Sequence, residues 1–480
     1  MILAQYTIRS KQDYIFKTNK MIEIIGASAN ISRAWDELFE VAKTLGLSFD
    51  EADDNTFDIK DTQKRMEAGE LTISELFRGG GNLTVLFDSF DTFKALNRAF
   101  SYKILVDYPG MIPMAVYTDF TGDYRADYAA LMNRSEIEKS RMYPGRDEFI
   151  LPFSDAWQES FESFSKKEAG RKKSYEDGGS VPSPMDIAGT GPVDLLAVVH
   201  ADGNNMGSKI MKFLRDETEY DKCVNSMRLF TKTTSQVFNV AGLKAVEEYH
   251  EELVNKLKSQ DSEIKTADYR LIVADGDDLT FICNAKYALE YTRVYLNAVR
   301  DYNSDSPWKY SSCAGISLFH RRYPFADAYS IAEQVCDSAK KMVHTGKDDA
   351  PEEGWVDFQF ITGTAGDLDT IRDRQNITAS MARPWLLTEG RQTLKEYEKL
   401  AELEEILRRR GVTRTVIKEL GNACESSIIE GRQILERVYA RHKGLYEELT
   451  DLFAQDVELL LRAIYDLSGI MDIWFEGVNV

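Results

Sequence analysis

The 480-residue sequence predicts an α+β fold: two related strand-and-helix domains, then an all-helical C-terminal domain. Three observations predict it. Up to about residue 382, short apolar runs of strand type alternate with stretches of helical period. The second part of that region echoes the first. From about residue 383 onward, nearly every stretch has amphipathic helical spacing.

The elements follow in order. In the first domain, residues 1 to about 135, "ILAQYTI" reads as a buried strand. "DYIFKTNKMIEIIGASANISRAWDELFEVAKTL" reads as helices, with Ile15, Ile22, Ile25, Trp35, Leu38 and Phe39 at helical spacing. "NLTVLF" and "MIPMAVYTDF" read as strands. Residues 136–190, including "KKEAGRKKSYEDGGSVPSPMDIAGTGP", are rich in Gly, Ser, Pro and charge and lack an apolar period, which predicts a linker. The second domain, residues 191–382, opens with the strand "VDLLAVVHADG". A long helical stretch from about Asn225 to Lys258 follows, then the paired strands "DYRLIVADG" and "LTFICN". A helix, the strand "SSCAGISLFH" and the helix "PFADAYSIAEQVCDSAKKMV" complete it. Residues 383–480 are helical, with Gly stops.

Composition narrows the class. With 43% hydrophobic and 29% charged residues the chain is of ordinary soluble type. No window has the roughly 18 apolar residues of a membrane helix, and the N-terminus lacks a signal-peptide pattern. Five cysteines without a CxxC pair predict reduced thiols and no zinc knuckle, so a cytoplasmic location is expected. A net charge of −20 disfavours a general nucleic-acid binder and leaves RNA binding open.

The repeat is legible residue by residue. "GGGNLTVLFDSFDTFKAL" (79–96) sets above "DGDDLTFICNAKYALEYT" (275–292), and "ILAQYTIRS" (2–10) above "LLAVVHADG" (195–203). This alignment pairs Arg9 with Asp202, Gly81 with Asp277 and Asn82 with Asp278. All three carboxylates therefore belong to the second copy alone, where they are not needed to build the fold.

Carboxylates gathered at a strand end suit divalent cations, because magnesium takes hard oxygen ligands. Two such ions can assist attack of a hydroxyl on a phosphate and departure of pyrophosphate. Asp202 ends one strand, and Asp277 and Asp278 sit at the hairpin turn of its expected neighbour. These three are the candidate catalytic and metal-ligating residues, for Mg2+ or Mn2+ in a two-metal site. The turn "GNNMGS" offers Gly203, Asn204, Asn205 and Gly207 as a phosphate cradle, with Gly276 in the hairpin turn. Lys340, Lys341 and Lys347 are candidate partners of a triphosphate. Each motif alone has a plainer reading: Asp-Gly is a common hairpin turn, lysines suit a helix C-terminus, and His200 and His344 read as packing or surface residues. The order strand-Asp-Gly, strand-Gly-Asp-Asp, Lys-ended helix is more specific than any of its parts.

With "HADGNNMG", "DGDD" and "AGISLFHRRYPFADAYSIAEQVCDSAKK" in this order, the second copy resembles the catalytic palm of the large polymerase-cyclase subunit of type III CRISPR effector complexes. "QDYIFKTNKMIEIIGAS" and "GGGNLTVLFDS" resemble that subunit's degenerate first palm, and the helical C-terminus resembles its last domain. The resemblance implies two ferredoxin-like palm domains. It implies synthesis of cyclic oligonucleotide messengers from ATP or other NTPs in antiviral signalling, with Asp202, Asp277 and Asp278 as metal ligands. Three features depart from the family pattern: Asp275 replaces the first glycine of the hairpin, the four-cysteine module between the palms is absent, and no nuclease-like domain precedes the first palm. The expectation is a stand-alone or reduced relative. Its expected partners are an NTP and, through the helical C-terminal domain, a second copy or another protein. The alternatives are a non-catalytic nucleotide- or RNA-sensing scaffold and a GGDEF-like dinucleotide cyclase, whose Glu-Phe ending "DGDD" lacks.

Overall fold

A computed structural model describes residues 1–18, 21–52, 56–79, 81–140, 195–215, 217–260, 269–302, 308–343, 353–361, 363, 366–374, 380–388 and 393–478. Residues 136–140 of the expected linker belong to a helix, while the rest of it, Lys347 and His344 lie outside the described residues. The chain forms two compact units. Unit 1 comprises residues 1–181, 205–239 and 272–277; unit 2 comprises 182–204, 240–271 and 278–480.

The first sheet begins with β1 (Ile2–Arg9), followed by helices α1 (Lys11–Ile15) and α2 (Met21–Thr44). Then come β2 (Phe49–Asp50), α3 (Ile59–Glu67), β3 (Ile73–Gly79), β4 (Asn82–Phe87), α4 (Phe90–Asp107), β5 (Ile112–Asp119) and α5 (Tyr124–Ser140). The strand order is β2-β3-β4-β1-β5, with β1 antiparallel to both neighbours. Setting β2 aside, β1, β3, β4 and β5 stand in the order 4-1-3-2 of a ferredoxin-like sheet. Tyr6 on β1 is fully buried and meets the rings of Trp35, Phe93 and Phe100, so α2 and α4 pack on one face of that sheet.

The second sheet repeats the plan. β6 (Leu195–Gly203) precedes α6 (Met206–Leu214), α7 (Tyr220–Ser235), a π-helical stretch (Gln236–Gly242) and α8 (Leu243–Gln260). β7 (Tyr269–Asp275) and β8 (Asp278–Asn284) form the next pair. After them come α9 (Ala288–Asp301), β9 (Ser312–His320), α10 (Phe325–Lys340), β10 (Trp355–Phe360), α11 (Leu368–Arg374) and β11 (Trp385–Leu386). The strand order is β11-β10-β9-β6-β8-β7. Its β9-β6-β8-β7 part has the same 4-1-3-2 arrangement, so both predicted ferredoxin-like domains are present. In unit 1, α6 and α7 contribute Ile210, Leu214, Cys223, Val224 and Met227 to a core with Leu3, Leu76, Leu86 and Val116 of the first sheet.

One glycine sets how α10 lies on the second sheet. A Cβ at Gly315 on β9 would stand 2.1 Å from the Ala332 carbonyl oxygen and 2.2 Å from the Cys336 nitrogen. Both are backbone atoms of a helix and cannot swing aside. Gly315→Ala is therefore expected to lift α10 and destabilise the protein by about 1–3 kcal/mol or more. A urea unfolding midpoint indistinguishable from that of wild type would refute this close approach.

The remaining helices are α12 (Glu398–Arg409), α13 (Arg414–Ser426), α14 (Ile428–Arg441), α15 (Leu445–Leu452) and α16 (Val457–Val478). α15 and α16 are separate helices, because Ala454 and Gln455 take left-handed backbone conformations between them. Arg409 and Arg410 close α12 and pair with Glu448, so the basic run "LRRRG" has partners within the helical domain. Among the described residues no helix is long and apolar enough to cross a membrane.

Candidate functional site

β6 is the central strand of the site. Its alternating pattern puts His200 and Asp202 on one face, with Ala201 on the other. The ladder with β8 pairs His200 with Thr280 and Ala201 with Leu279, so one further step sets Asp202 opposite Asp278. The outcome is a cluster in which one ligand atom each from His200, Asp202 and Asp278 lie within 4.8 Å of one another.

This register differs from the sequence echo. In the first sheet Thr7 stands opposite Asn82. If Asn82 corresponds to Asp278, then Thr7, rather than Arg9, occupies the place of Asp202. The two alignments differ by two residues. Such a shift keeps every side chain on its face, so apolar alternation cannot distinguish them.

His200 is 5% exposed, with Nδ1 3.0 Å from Thr280 Oγ1 and its ring edge-on to Tyr329. Burial pushes its pKa down to about 4; Asp202 opposes the shift and Lys340 adds to it. The imidazole is thus neutral near pH 7, the state in which it can ligate a cation. Sequence reading took His200 for a packing or surface residue, and it is packed; what that reading lacked is its place in the cluster. The available signal was its position two residues before Asp202, on the same strand face.

Lys340, at the end of α10, forms an ion pair and hydrogen bond with Asp202 Oδ2. Burial works against the ammonium charge, but Asp202 outweighs it and the lysine pKa is raised. The ammonium stands where a cation would lie against this carboxylate. From the other side, Ser312 Oγ donates to the Asp202 carbonyl oxygen at 2.9 Å, which fixes the end of β6.

The other candidates divide. Asn204 is 3% exposed, and its side chain donates to Ser311 Oγ and the Glu353 carbonyl, both at 3.0 Å. It braces the turn after β6 from within, directly after the buried Gly203. Asn205 is exposed, takes a left-handed conformation and leads into α6 without a side-chain cap. Gly207, also exposed, lies in the first turn of that helix with open space around it. Gly276 forms the β7–β8 turn at φ +63°, where a side chain would be strained. Asp277 follows it and is half-buried, whereas Asp278 is exposed. Asp277 is not in the three-residue cluster, as expected of a neighbour whose side chain alternates away from that of Asp278. Lys341 is exposed.

Residues 195–350 match the family model described as Cas10/Cmr2, second palm domain. The segment that holds Asp202, Asp278 and Lys340 is thus similar to the second palm domain of Cas10/Cmr2. Similarity to solved structures extends this to the fold of the whole chain. A Csm1-Csm4 cassette in complex with pppApA aligns at 13% identity and TM-score 0.51, covering 97% of this chain and 69% of that one. A Csm1-Csm4 cassette in complex with cA3 aligns at 14% identity and TM-score 0.51, with the same coverage. A third, in complex with one ATP, aligns at 14% identity and TM-score 0.50, covering 96% of this chain and 70% of that one. At these identities the likeness establishes the fold. No curated protein matches the chain in sequence.

Proposed function

We propose that this chain is a divalent-metal-dependent nucleotidyltransferase that joins ATP or another NTP into cyclic oligonucleotides, releasing pyrophosphate, and that it serves antiviral signalling in the cytoplasm. The observation that carries this reading is the meeting of Asp202 and Asp278 at one end of a Cas10/Cmr2 palm sheet. The nucleotide ligands named for the similar Csm1-Csm4 structures support it.

The donor set fits a hard divalent cation: two carboxylates and a neutral imidazole converge, and one carboxylate already holds an ammonium. Asp202 and Asp278, with His200 beside them and Asp277 next in the chain, would hold such ions. Bound Mg2+ or Mn2+ supplies charge neutralisation on the α-phosphate and the departing pyrophosphate.

The chain's own groups do the rest. The β6 and β8 ends fix the two carboxylates before substrate arrives, a saving in positioning. A 3′-hydroxyl of one nucleotide attacks the α-phosphorus of the next. The new P–O ester forms, the α–β bridging bond breaks, pyrophosphate leaves with the electron pair, and the hydroxyl proton passes to a nearby carboxylate or water. Lys340, once a cation replaces it on Asp202, is available to the triphosphate. The turn through Gly203, Asn205 and Gly207 offers backbone N–H groups to phosphate oxygens, with Asn204 as its brace. Lys341 and Lys347 are assigned to the same polyanion.

The imidazole gives a specific expectation. A nitrogen ligand beside carboxylates favours Mn2+ over Mg2+, so calorimetric titration of the apo protein is expected to show tighter Mn2+ binding. His200→Ala should narrow that preference; an unchanged ratio would remove His200 from the site. The functional reading itself is tested by mass spectrometry of products formed from each NTP with Mg2+ or Mn2+.

A further inference from the structure

The carboxylate that the site leaves unassigned, Asp275, belongs to unit 1 and has a cationic neighbour within it. Lys11, at the start of α1, places Nζ 4.0 Å from Asp275 Oδ2. The same ammonium fills the space beside Gly81: a Cβ built there would stand 1.9 Å from Lys11 Nζ and 2.4 Å from its Cε. Gly81 has φ +67° and is the first-sheet counterpart of Asp277 in the sequence echo. Where the second copy carries a carboxylate, the first carries no side chain, and a lysine occupies the gap and reaches the β7–β8 turn. The next residue of that turn is held as well. Asn239, inside the π-helical stretch, donates its side-chain N–H to the Gly276 carbonyl at 3.1 Å. Single π turns in long helices recur at functional sites because they redirect a side chain.

The charge pattern gives the clamp a purpose. Asp275, Asp277 and Asp278 crowd three acidic side chains into four residues, and like charges near one another repel and spread apart. An ammonium on Asp275 relieves the repulsion at one of the two carboxylates outside the ligand cluster, on the turn that leads to Asp278. The pair is partly exposed, with side chains 28% and 36% accessible, so it adds little to global stability. Its effect is local.

We propose that Lys11 and Asn239 are positioning residues for the catalytic hairpin: Lys11 neutralises Asp275 through the gap at Gly81, and Asn239 fixes the Gly276 carbonyl, so that the turn preceding Asp278 is rigid before substrate binds. This rests on the nucleotidyltransferase reading, and its test separates the two.

The test compares the full-length chain with Lys11→Glu, Asp275→Lys, the charge-swapped double variant and Asn239→Ala. Hydrogen exchange of the peptide spanning residues 272–281 and Mn2+ affinity by calorimetry are read without turnover. Lys11→Glu, Asp275→Lys and Asn239→Ala are each expected to speed exchange in that peptide by about ten-fold, with little change in global melting. Mn2+ affinity should weaken in Lys11→Glu and Asn239→Ala, and the double swap should recover most of the wild-type exchange and affinity. In product assays Lys11→Glu should lower kcat by about ten-fold with KM for NTP unchanged, the signature of misplacement rather than lost binding. Wild-type exchange in Lys11→Glu and Asn239→Ala, or a double swap no better than its single variants, would overturn the clamp even if the enzyme is active. A wild-type chain that makes no product while exchange and affinity follow the predicted pattern would overturn the functional reading and keep the clamp.

Discussion

Replacing Asp278 or Asp202 by Ala is expected to abolish product formation, by about three orders of magnitude or more, and to weaken Mn2+ binding in the same variants. The magnitude follows from what each side chain is assigned. Removing one preorganised group that stabilises transition-state charge typically costs 10²–10³ in rate, and here the same loss also empties a cation position. The two variants should differ in one respect. Asp202 is paired with Lys340 on α10, so Asp202→Ala leaves a part-buried ammonium without its partner and should lower the melting temperature as well. Asp278 is exposed at the start of β8, so Asp278→Ala should melt like wild type. Activity and Mn2+ affinity close to wild type in the Asp278 variant would remove it from the site.

The second large effect lies away from the chemistry. Within unit 2, Asp466 on α16 accepts from the backbone N–H of Ala382 and Arg383, from Trp385 Nε1 and from Arg383 Nη1, the last at 2.5 Å. Arg383 also faces Asp357 at 3.3 Å, and Asp357 pairs with Arg372 at 2.9 Å. All four charged side chains are at most 6% accessible. This network ties β10 and α11 of the sheet to the longest C-terminal helix. Removing one member of a buried ion pair leaves the other desolvated without a partner, at a cost of about 3–5 kcal/mol. Asp466→Ala should therefore unfold at markedly lower urea, reported by the fluorescence of the buried Trp385. The control is Glu458→Ala on the same helix. It removes an exposed pair with Arg462 and should shift stability by no more than about 0.5 kcal/mol. Equal shifts in the two variants would show that the network is not the fastening inferred here.

The sequence predicted most of the architecture because strand and helix periods differ and the repeat supplied each pattern twice. The central strands and the second-copy hairpin stand where periodicity placed them, whereas the long helical stretch from about Asn225 to Lys258 is interrupted by π-helical Gln236–Gly242 and the last one breaks at Ala454 and Gln455. It also singled out Asp202 and Asp278, because adjacent turns and carboxylates are local signals. What it missed depends on distance. His200 on its own looks like any core histidine, and only the β6–β8 ladder brings it beside Asp278. The correspondence of Thr7 with Asp202 is a matter of register, and register slips of two residues are invisible to alternation. The partners of Asp275 and Asp466 come from remote positions, at Lys11 and Arg383. Asp275, a departure from the family hairpin in the sequence, becomes intelligible only with the cation that faces it.

The most direct test of the account is a product analysis of the wild-type chain incubated with each NTP and with Mg2+ or Mn2+, alongside the Asp202→Ala/Asp278→Ala double variant. Pyrophosphate together with 3′-esterified linear and cyclic oligonucleotides is expected from the wild type, and neither from the double variant. Absence of any phosphodiester product across all NTPs and both cations under every activating condition tried, with wild type and double variant indistinguishable, would contradict it.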